Sequence, residues 1–126
     1  MLYEDQAVLS LAYKRCGYLD YTNSKQKNSI QKSVDNLTRD GYLRRGPGCT
    51  AYLDKDGLIF VEEASLLKHH TARMQDFRAR YDAVEAEFPG DKAAIARLDA
   101  EFIAEGYSPE EIRGLKRMRA ILRGTG

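Results

Sequence analysis

A short basic stretch of the sequence, residues 25 to 32, combines amide and ammonium side chains. Asn28 and Gln31 each carry an amide that donates and accepts, which matches the N6 and N7 atoms of adenine. Lysine ammonium groups can bind phosphates or guanine, and arginines further along are suited to phosphate contacts. The pattern therefore indicates recognition of a nucleic acid. The predicted contact residues are Lys25, Lys27, Asn28, Gln31, Lys32, Arg44 and Arg45.

The charges are unevenly distributed, although the net charge is only +1. Residues 14 to 45 contain eight basic and three acidic residues, a local excess of five positive charges. Residues 62 to 111 contain twelve acidic and six basic residues. A second basic block closes the chain with Arg113, Lys116, Arg117, Arg119 and Arg123. A partner made of phosphates is expected to bind the first or the last of these blocks.

No catalytic, metal or cofactor site is expected from the residue pattern. His69 and His70 are the two histidines, and adjacent residues on a helix point about 100° apart, which does not suit binding of one metal ion. The sequence has no phosphate-binding loop, nucleophile elbow or HExxH motif. Cys16 and Cys49 are interpreted as reduced structural residues, with a disulfide as the alternative.

The length and hydropathy indicate one small globular domain with an appended helical segment. No run approaches the roughly 18 apolar residues that a membrane span needs. The first ten residues carry acidic side chains where a signal peptide would carry positive charge. We therefore expect a cytoplasmic protein that does not bind a membrane.

Two helices and a hairpin are predicted in the first half of the chain. The first helix spans about residues 4 to 15 and ends near Gly17, because glycine readily adopts the conformation that ends a helix. The second begins near residue 25 and ends at Asp40-Gly41, and its apolar face consists of Ile30, Val34 and Leu37. "YLRRG" and "TAYLD" are short strands around the turn "GPGC".

This order of elements is suited to binding double-stranded DNA. The major groove is about 12 Å wide and admits one helix, while an adjoining β-ribbon can lie over the neighbouring backbone. "SIQKSVDNLTRDGYLRR" resembles the recognition helix and first wing strand of winged helix-turn-helix regulators of the MarR and PadR kind. "AYLDKDGLIFVEEA" is similar to the end of their wing, so that the resemblance covers about residues 4 to 68.

The resemblance implies a mainly α fold with a small β-hairpin, in which residues 1–64 form a winged helix DNA-binding domain. Such folds insert a further helix before the recognition helix, and "GYLDYTNSKQ" leaves little room for it. Either that helix is a single turn or the helix-turn-helix is atypical. After the second strand, Lys55-Asp56-Gly57 can be the loop of another hairpin, or Asp54 can cap a helix; both alternatives are open.

A long helix from about residue 62 to residue 88 is predicted from apolar residues that step by three and four. This stripe consists of Leu67, His70, Met74, Phe77, Tyr81, Val84 and Phe88. Two shorter helices follow, one from about residue 91 to 105 and one starting at "SPEE", a capping-box sequence. The stripe is predicted to be a dimer interface within the helical segment 65–126. In the alternative, the last two helices fold back on it within one chain.

These observations predict a sequence-specific double-stranded DNA-binding protein. The favoured role is a small bacterial, phage or plasmid transcriptional regulator, such as a repressor, that acts as a homodimer on an inverted repeat. The sequence indicates no effector ligand. The alternative is a protein-interaction module, or a replication or partition accessory protein, that uses the winged helix as a scaffold.

Overall fold

The computed structural model describes residues 1–124. Six helices and three short strands account for most of these residues. The elements are α1 (Tyr3–Lys14), β1 (Tyr18–Asp20), α2 (Lys27–Arg39), β2 (Leu43–Arg45), β3 (Thr50–Leu53), α3 (Lys55–Glu63), α4 (Lys68–Glu87), α5 (Lys92–Ala104) and α6 (Pro109–Leu122). The expectation of a mainly α fold with a small β-hairpin is confirmed.

The three strands form one antiparallel sheet in the order β1-β3-β2. The predicted strands β2 and β3 pair around the glycine-rich turn, with Arg44 opposite Tyr52 and Arg45 opposite Ala51. On its other side β3 pairs with β1, a strand that the sequence did not predict. β1 has three residues, too few to show the alternation that marks a strand.

Helix α3 resolves the two alternatives for the segment after β3. The side chain of Asp54 accepts a hydrogen bond of 2.8 Å from the backbone N–H of Lys55, which is an N-terminal cap. The chain therefore turns into a helix at this point, and Leu58 and Val61 of this helix are buried in the core.

The prediction of one long helix over residues 62 to 88 is wrong. α3 ends at Glu63 and α4 begins at Lys68, and Ser65 between them has φ of 55°. A left-handed residue cannot continue an α-helix, so the chain changes direction here. The apolar stripe on which the prediction rested begins only at Leu67, after this break, and Leu66 and Leu67 pack against the core.

The C-terminal helices fold back on α4 within one chain. Phe77 and Tyr81 of α4 stack with Phe102 of α5, at ring centroid distances of 4.8 Å and 6.0 Å. α6 packs against α4 and α3 and also meets the N-terminal half at Gly17, so that residues 1–64 and 65–122 share one hydrophobic core. The intrachain alternative for the last two helices therefore describes the structure.

This packing buries the centre of the stripe that was predicted as a dimer interface and leaves the rest of it partly exposed. Its three central residues Met74, Phe77 and Tyr81 are buried in the core of the chain and offer no surface to a second copy. This corrects the prediction for these residues, because α5 and α6 supply the cover that a partner chain would have supplied. Around them, Leu67, His70 and Val84 are half-buried, and Phe88 is 42% exposed.

Within residues 1–124, no helix combines the length and the apolar composition that crossing a membrane requires.

Candidate nucleic-acid interface

Helix α2 is held on the core by the apolar face that its spacing predicted. Val34 and Leu37 are fully buried and Ile30 packs beside them. The residues at three- and four-residue steps on the other side, Asn28, Lys32 and Asp35, are exposed. α2 therefore presents a polar face to the outside, and Lys25 and Lys27 extend this face at its N-terminal end.

The segment immediately before α2 is a turn and not a further helix. The N–H of Ser24 donates to the carbonyl of Tyr21 at 3.2 Å, and the N–H of Lys27 donates to the carbonyl of Ser24 at 3.3 Å. The Ser24 hydroxyl oxygen also accepts from the N–H of Gln26, at 3.1 Å. Because the chain enters α2 through this turn, the N-terminal end of the helix is open to solvent, with Lys25, Lys27 and Asn28 around it.

The β2 strand lies next to α2 and brings Arg45 to the edge of its polar face. Arg44 and Arg45 are both exposed on β2, while Leu43 of the same strand is buried. Arg45 donates a hydrogen bond from its guanidinium to Oδ1 of Asp35. This ion pair connects the hairpin to the middle of α2, so the two predicted parts of the contact surface are joined directly.

Gln31 belongs to a chain of hydrogen bonds that the sequence analysis missed. The buried Tyr21 donates from its hydroxyl to Oε1 of Gln31 at 2.6 Å, and Nε2 of Gln31 donates to Oδ1 of Asp35 at 2.9 Å. With Arg45, these residues link the end of β1, α2 and β2. The predicted contact of Gln31 with adenine would have to compete with both of these bonds. The four-residue step from Gln31 to Asp35 was the one signal for this chain in the sequence.

The contacts within this hydrogen-bonded chain determine the protonation states of its side chains. The hydrogen bond from the Arg45 guanidinium, followed by that from Gln31, holds the pKa of Asp35 below its usual value. The same bond raises the pKa of Arg45. Burial raises the pKa of the Tyr21 phenol, which therefore stays protonated and remains a donor. At neutral pH the pair is ionised, and Asp35 offsets the positive charge of Arg45 locally.

The two basic blocks of the sequence differ in the partners that their side chains find. In α6, Lys116 donates to Asp99 at 2.9 Å, and Arg119 donates to Asp82 at 2.7 Å and to Glu85 at 2.8 Å. Arg123 also pairs with Glu85, at 3.0 Å. Around α2, by contrast, the described residues provide no hydrogen bond or ion pair to the side chains of Lys25, Lys27, Asn28 and Lys32.

The histidines and cysteines do not form a metal site. Among residues 1–124, no group of three or more His, Cys, Asp or Glu is placed to hold a metal ion. Cys16 and Cys49 are free thiols, which agrees with the reduced interpretation. Cys16, His69 and His70 line a cavity of about 190 Å³ between α1, α4 and α6. Burial, followed by the charge of Lys14, lowers the pKa of His70.

Comparison of the chain with models of protein families, with curated proteins and with solved structures found no match. The resemblance to winged helix regulators therefore stays a prediction from the sequence.

Proposed function

We propose that this protein binds double-stranded DNA through the polar face of α2 and the β2–β3 hairpin, and that it recognises sequence as a winged helix transcriptional regulator. A helix with one exposed polar face fits the major groove, and a short ribbon beside it fits the adjoining backbone. α2 and the hairpin are neighbours in the fold and are connected by Arg45 and Asp35.

The observation that carries the proposal is the group of three exposed lysines around α2 that have no ion pair among residues 1–124. In the last basic block, Lys116, Arg119 and Arg123 are paired with acidic residues of α4 and α5, whereas Arg113 and Arg117 have no ion pair among the described residues. Lys25, Lys27 and Lys32 are exposed and have no ion pair within the part of the chain that the structure describes. Unpaired cations on one face are what a phosphate backbone requires, because its affinity comes mainly from neutralising phosphates.

The residues of this surface take different roles in the proposal. Lys25, Lys27 and Lys32 would bind phosphates and fix the register of the helix. Asn28 would read a base, because it is exposed and its amide, which donates and accepts, matches adenine. Gln31 and Arg45 would position the surface, since both already donate hydrogen bonds to Asp35.

A homodimer on an inverted repeat remains our prediction for assembly. A two-fold protein binds two half-sites about one helical turn apart, which increases affinity and fixes spacing. The contact between copies has to lie outside the buried centre of the predicted stripe. Its exposed end, Phe88, borders a shallow cavity of about 390 Å³ at the turn between α4 and α5, which includes Pro89 and Ile95.

The proposal is tested by selecting bound duplexes from a random-sequence pool at two salt concentrations, followed by sequencing. We expect an enriched motif, and an affinity that falls by roughly 0.9 log units per tenfold increase in salt for each phosphate contact. Lys32→Ala should weaken binding to all sequences and lower this slope by about one contact. Asn28→Ala should cost about 1 to 3 kcal/mol at one base pair and relax the preference there.

Lys92→Ala is the matched control, because Lys92 is an exposed lysine at the start of α5, in the acidic half of the chain. It should leave affinity and salt slope unchanged. Failure of the wild-type protein to retain any duplex at low salt would reject the proposal. If Lys32→Ala and Lys92→Ala had equal effects, DNA would be bound by another face.

A further inference from the structure

We propose that Asp35 is a base-reading residue of this surface, whose Oδ2 accepts a hydrogen bond from the N4 amino group of a cytosine in the major groove. This inference rests on the proposed DNA-binding function and deepens it, because it names a base that the surface selects. In the sequence, Asp35 stands out only as an acidic residue within the basic block.

The position of Asp35 on α2 places it among the contact residues. It follows Asn28 by seven residues and Lys32 by three, so all three lie on one exposed face of the helix. The Asp35 side chain is 52% exposed. A helix lying in the groove along this face would bring Asp35 to the base edges about two turns after Asn28.

The two oxygens of the Asp35 carboxylate differ in the hydrogen bonds that they accept. Gln31 Nε2 and the Arg45 guanidinium both donate to Oδ1. Among the described residues, no group donates to Oδ2. A carboxylate oxygen has more than one lone pair to offer, so Oδ2 keeps its acceptor capacity. The donors on Oδ1 come from the helix and from the hairpin, so they fix the carboxylate before any partner arrives.

The charge of Asp35 is compatible with a DNA surface because Arg45 offsets it. An unpaired carboxylate would be repelled by the phosphates, whereas the Asp35–Arg45 pair has no net charge. Without that repulsion, Oδ2 of Asp35 can approach a base edge between the two phosphate backbones that border the major groove.

The chemistry of a carboxylate selects the base. An ionised carboxylate accepts hydrogen bonds and cannot donate, so the acceptor atoms of guanine and thymine do not fit it. Adenine offers its N6 amino group, but the N7 acceptor beside it repels the carboxylate. Cytosine offers the N4 amino group and carries no acceptor of its own beside it in the groove, so that only O6 of the paired guanine lies next to it, and acidic side chains are known to accept from N4. Cytosine is therefore the expected base.

The test begins with the motif that the wild-type protein selects from random duplexes. We expect one position to require cytosine and Asp35→Ala to lose that requirement alone. At this position, N4-methylcytosine replaces the amino hydrogen that faces the groove. It should weaken binding of the wild-type protein by roughly 5- to 150-fold, the range of one specific base contact. Binding of Asp35→Ala should be indifferent to the methyl group.

Asp40→Ala is the control for charge, because Asp40 is an exposed carboxylate at the C-cap of α2 that pairs with Arg39. It should strengthen binding to all sequences slightly and leave the base preference unchanged. The methylated duplex tests the wild-type protein itself, so a folding defect in Asp35→Ala cannot explain a positive result.

The outcomes separate the two proposals. If the wild-type protein selects a motif but methylation at every cytosine of that motif leaves its affinity unchanged, the role of Asp35 as a reader is overturned and DNA binding stands. The same conclusion follows if Asp35→Ala weakens all sequences equally, since Asp35 would then only attach the hairpin to α2. If no duplex is bound at all, DNA binding itself fails.

Discussion

Gly114 of α6 lies directly against Cys16, which follows the end of α1: a Cβ built on Gly114 would lie 2.7 Å from both Cβ and Sγ of Cys16. Cys16 has φ of 57°, a left-handed conformation that residues other than glycine seldom adopt. The C-terminal helix therefore contacts the N-terminal half at a distance that only glycine permits. This contact is one reason why the two halves of the chain share a core.

We expect Gly114→Ala to lower the free energy of unfolding by up to about 2 kcal/mol. Alanine favours a helix over glycine by about 1 kcal/mol, but overpacking a closed contact costs about 1 to 3 kcal/mol. The second effect should prevail because Cys16 is fixed by its neighbours in a tight turn. Urea denaturation followed by circular dichroism measures the difference.

The double variant Cys16→Gly/Gly114→Ala should recover most of that loss. Glycine at position 16 removes both atoms that the new methyl group would meet, and it tolerates the left-handed backbone. An equal loss in the single and the double variant would show that the clash with Cys16 is not the cause.

Local signals in the sequence predicted most of the helices and the hairpin. The capping box at Ser108 is present, with the hydroxyl oxygen of Ser108 accepting from the N–H of Glu111 at 3.1 Å. Asp91 caps α5 in a similar way. The break at Ser65 could not be predicted, because no glycine or proline marks it. Strand β1 was missed because its evidence is its pairing with β3, a non-local contact.

The candidate site was predicted in part. Spacing alone identified the exposed face of α2, since burial of Val34 and Leu37 leaves Asn28 and Lys32 outside. It could not show which polar groups find partners within the fold. Asp35 and Arg45 are ten residues apart and meet only because β2 returns beside α2. The role of Gln31 changes for the same reason, through its bond with Tyr21.

A second prediction concerns the stripe on α4. Phe77→Ala should lower the free energy of unfolding by about 3 to 5 kcal/mol, because Phe77 is buried and stacks with Phe102. Phe88→Ala removes the same group from an exposed position and should cost well under 1 kcal/mol. Denaturation curves give both values, and sedimentation gives the assembly. A Phe77→Ala protein that stays fully stable and changes only from dimer to monomer would contradict the intrachain packing.

A third prediction concerns a partly buried ion pair that joins α3 to α4. Arg78 donates to Glu62 at 3.1 Å, and the two side chains are only 17% and 11% exposed. Tyr13 of α1 also donates to Glu62, at 2.8 Å. Glu62→Ala should cost about 2 to 4 kcal/mol, since it leaves a charged group and a hydroxyl without their acceptor in a site that water reaches poorly.

Tyr13→Phe should cost about 1 kcal/mol by itself and less in the Glu62→Ala background, because the acceptor of its hydroxyl is then already absent. The exposed pair of Arg39 and Asp40 provides the comparison, and Arg39→Ala should change stability by well under 1 kcal/mol. Chemical denaturation of the four proteins of the cycle measures the coupling. Strict additivity of Tyr13→Phe and Glu62→Ala would show that the two groups do not interact.

The last prediction concerns the dependence of stability on pH through Glu85. Hydrogen bonds from Arg119, and then from Arg123, lower the pKa of Glu85 from 4.5 to about 2. Because the folded protein binds the proton less tightly than the unfolded chain, the contribution of Glu85 is complete above about pH 5 and is lost as the pH falls towards 2. Glu85→Gln should therefore lower the melting temperature at pH 7, and the difference from wild type should close between pH 5 and pH 2.

The size of this effect is limited by solvent, since the Glu85 side chain is 40% exposed, and we expect on the order of 1 kcal/mol at pH 7. Glu87→Gln is the matched control: Glu87 is an exposed glutamate at the end of the same helix, with no ion pair among residues 1–124. The melting temperature of the Glu87→Gln protein should equal that of the wild-type protein at every pH. Thermal unfolding at intervals from pH 2 to pH 7 measures all three proteins. A gap between Glu85→Gln and wild type that stayed constant over this range would show that the carboxylate contributes by packing and not by its charge.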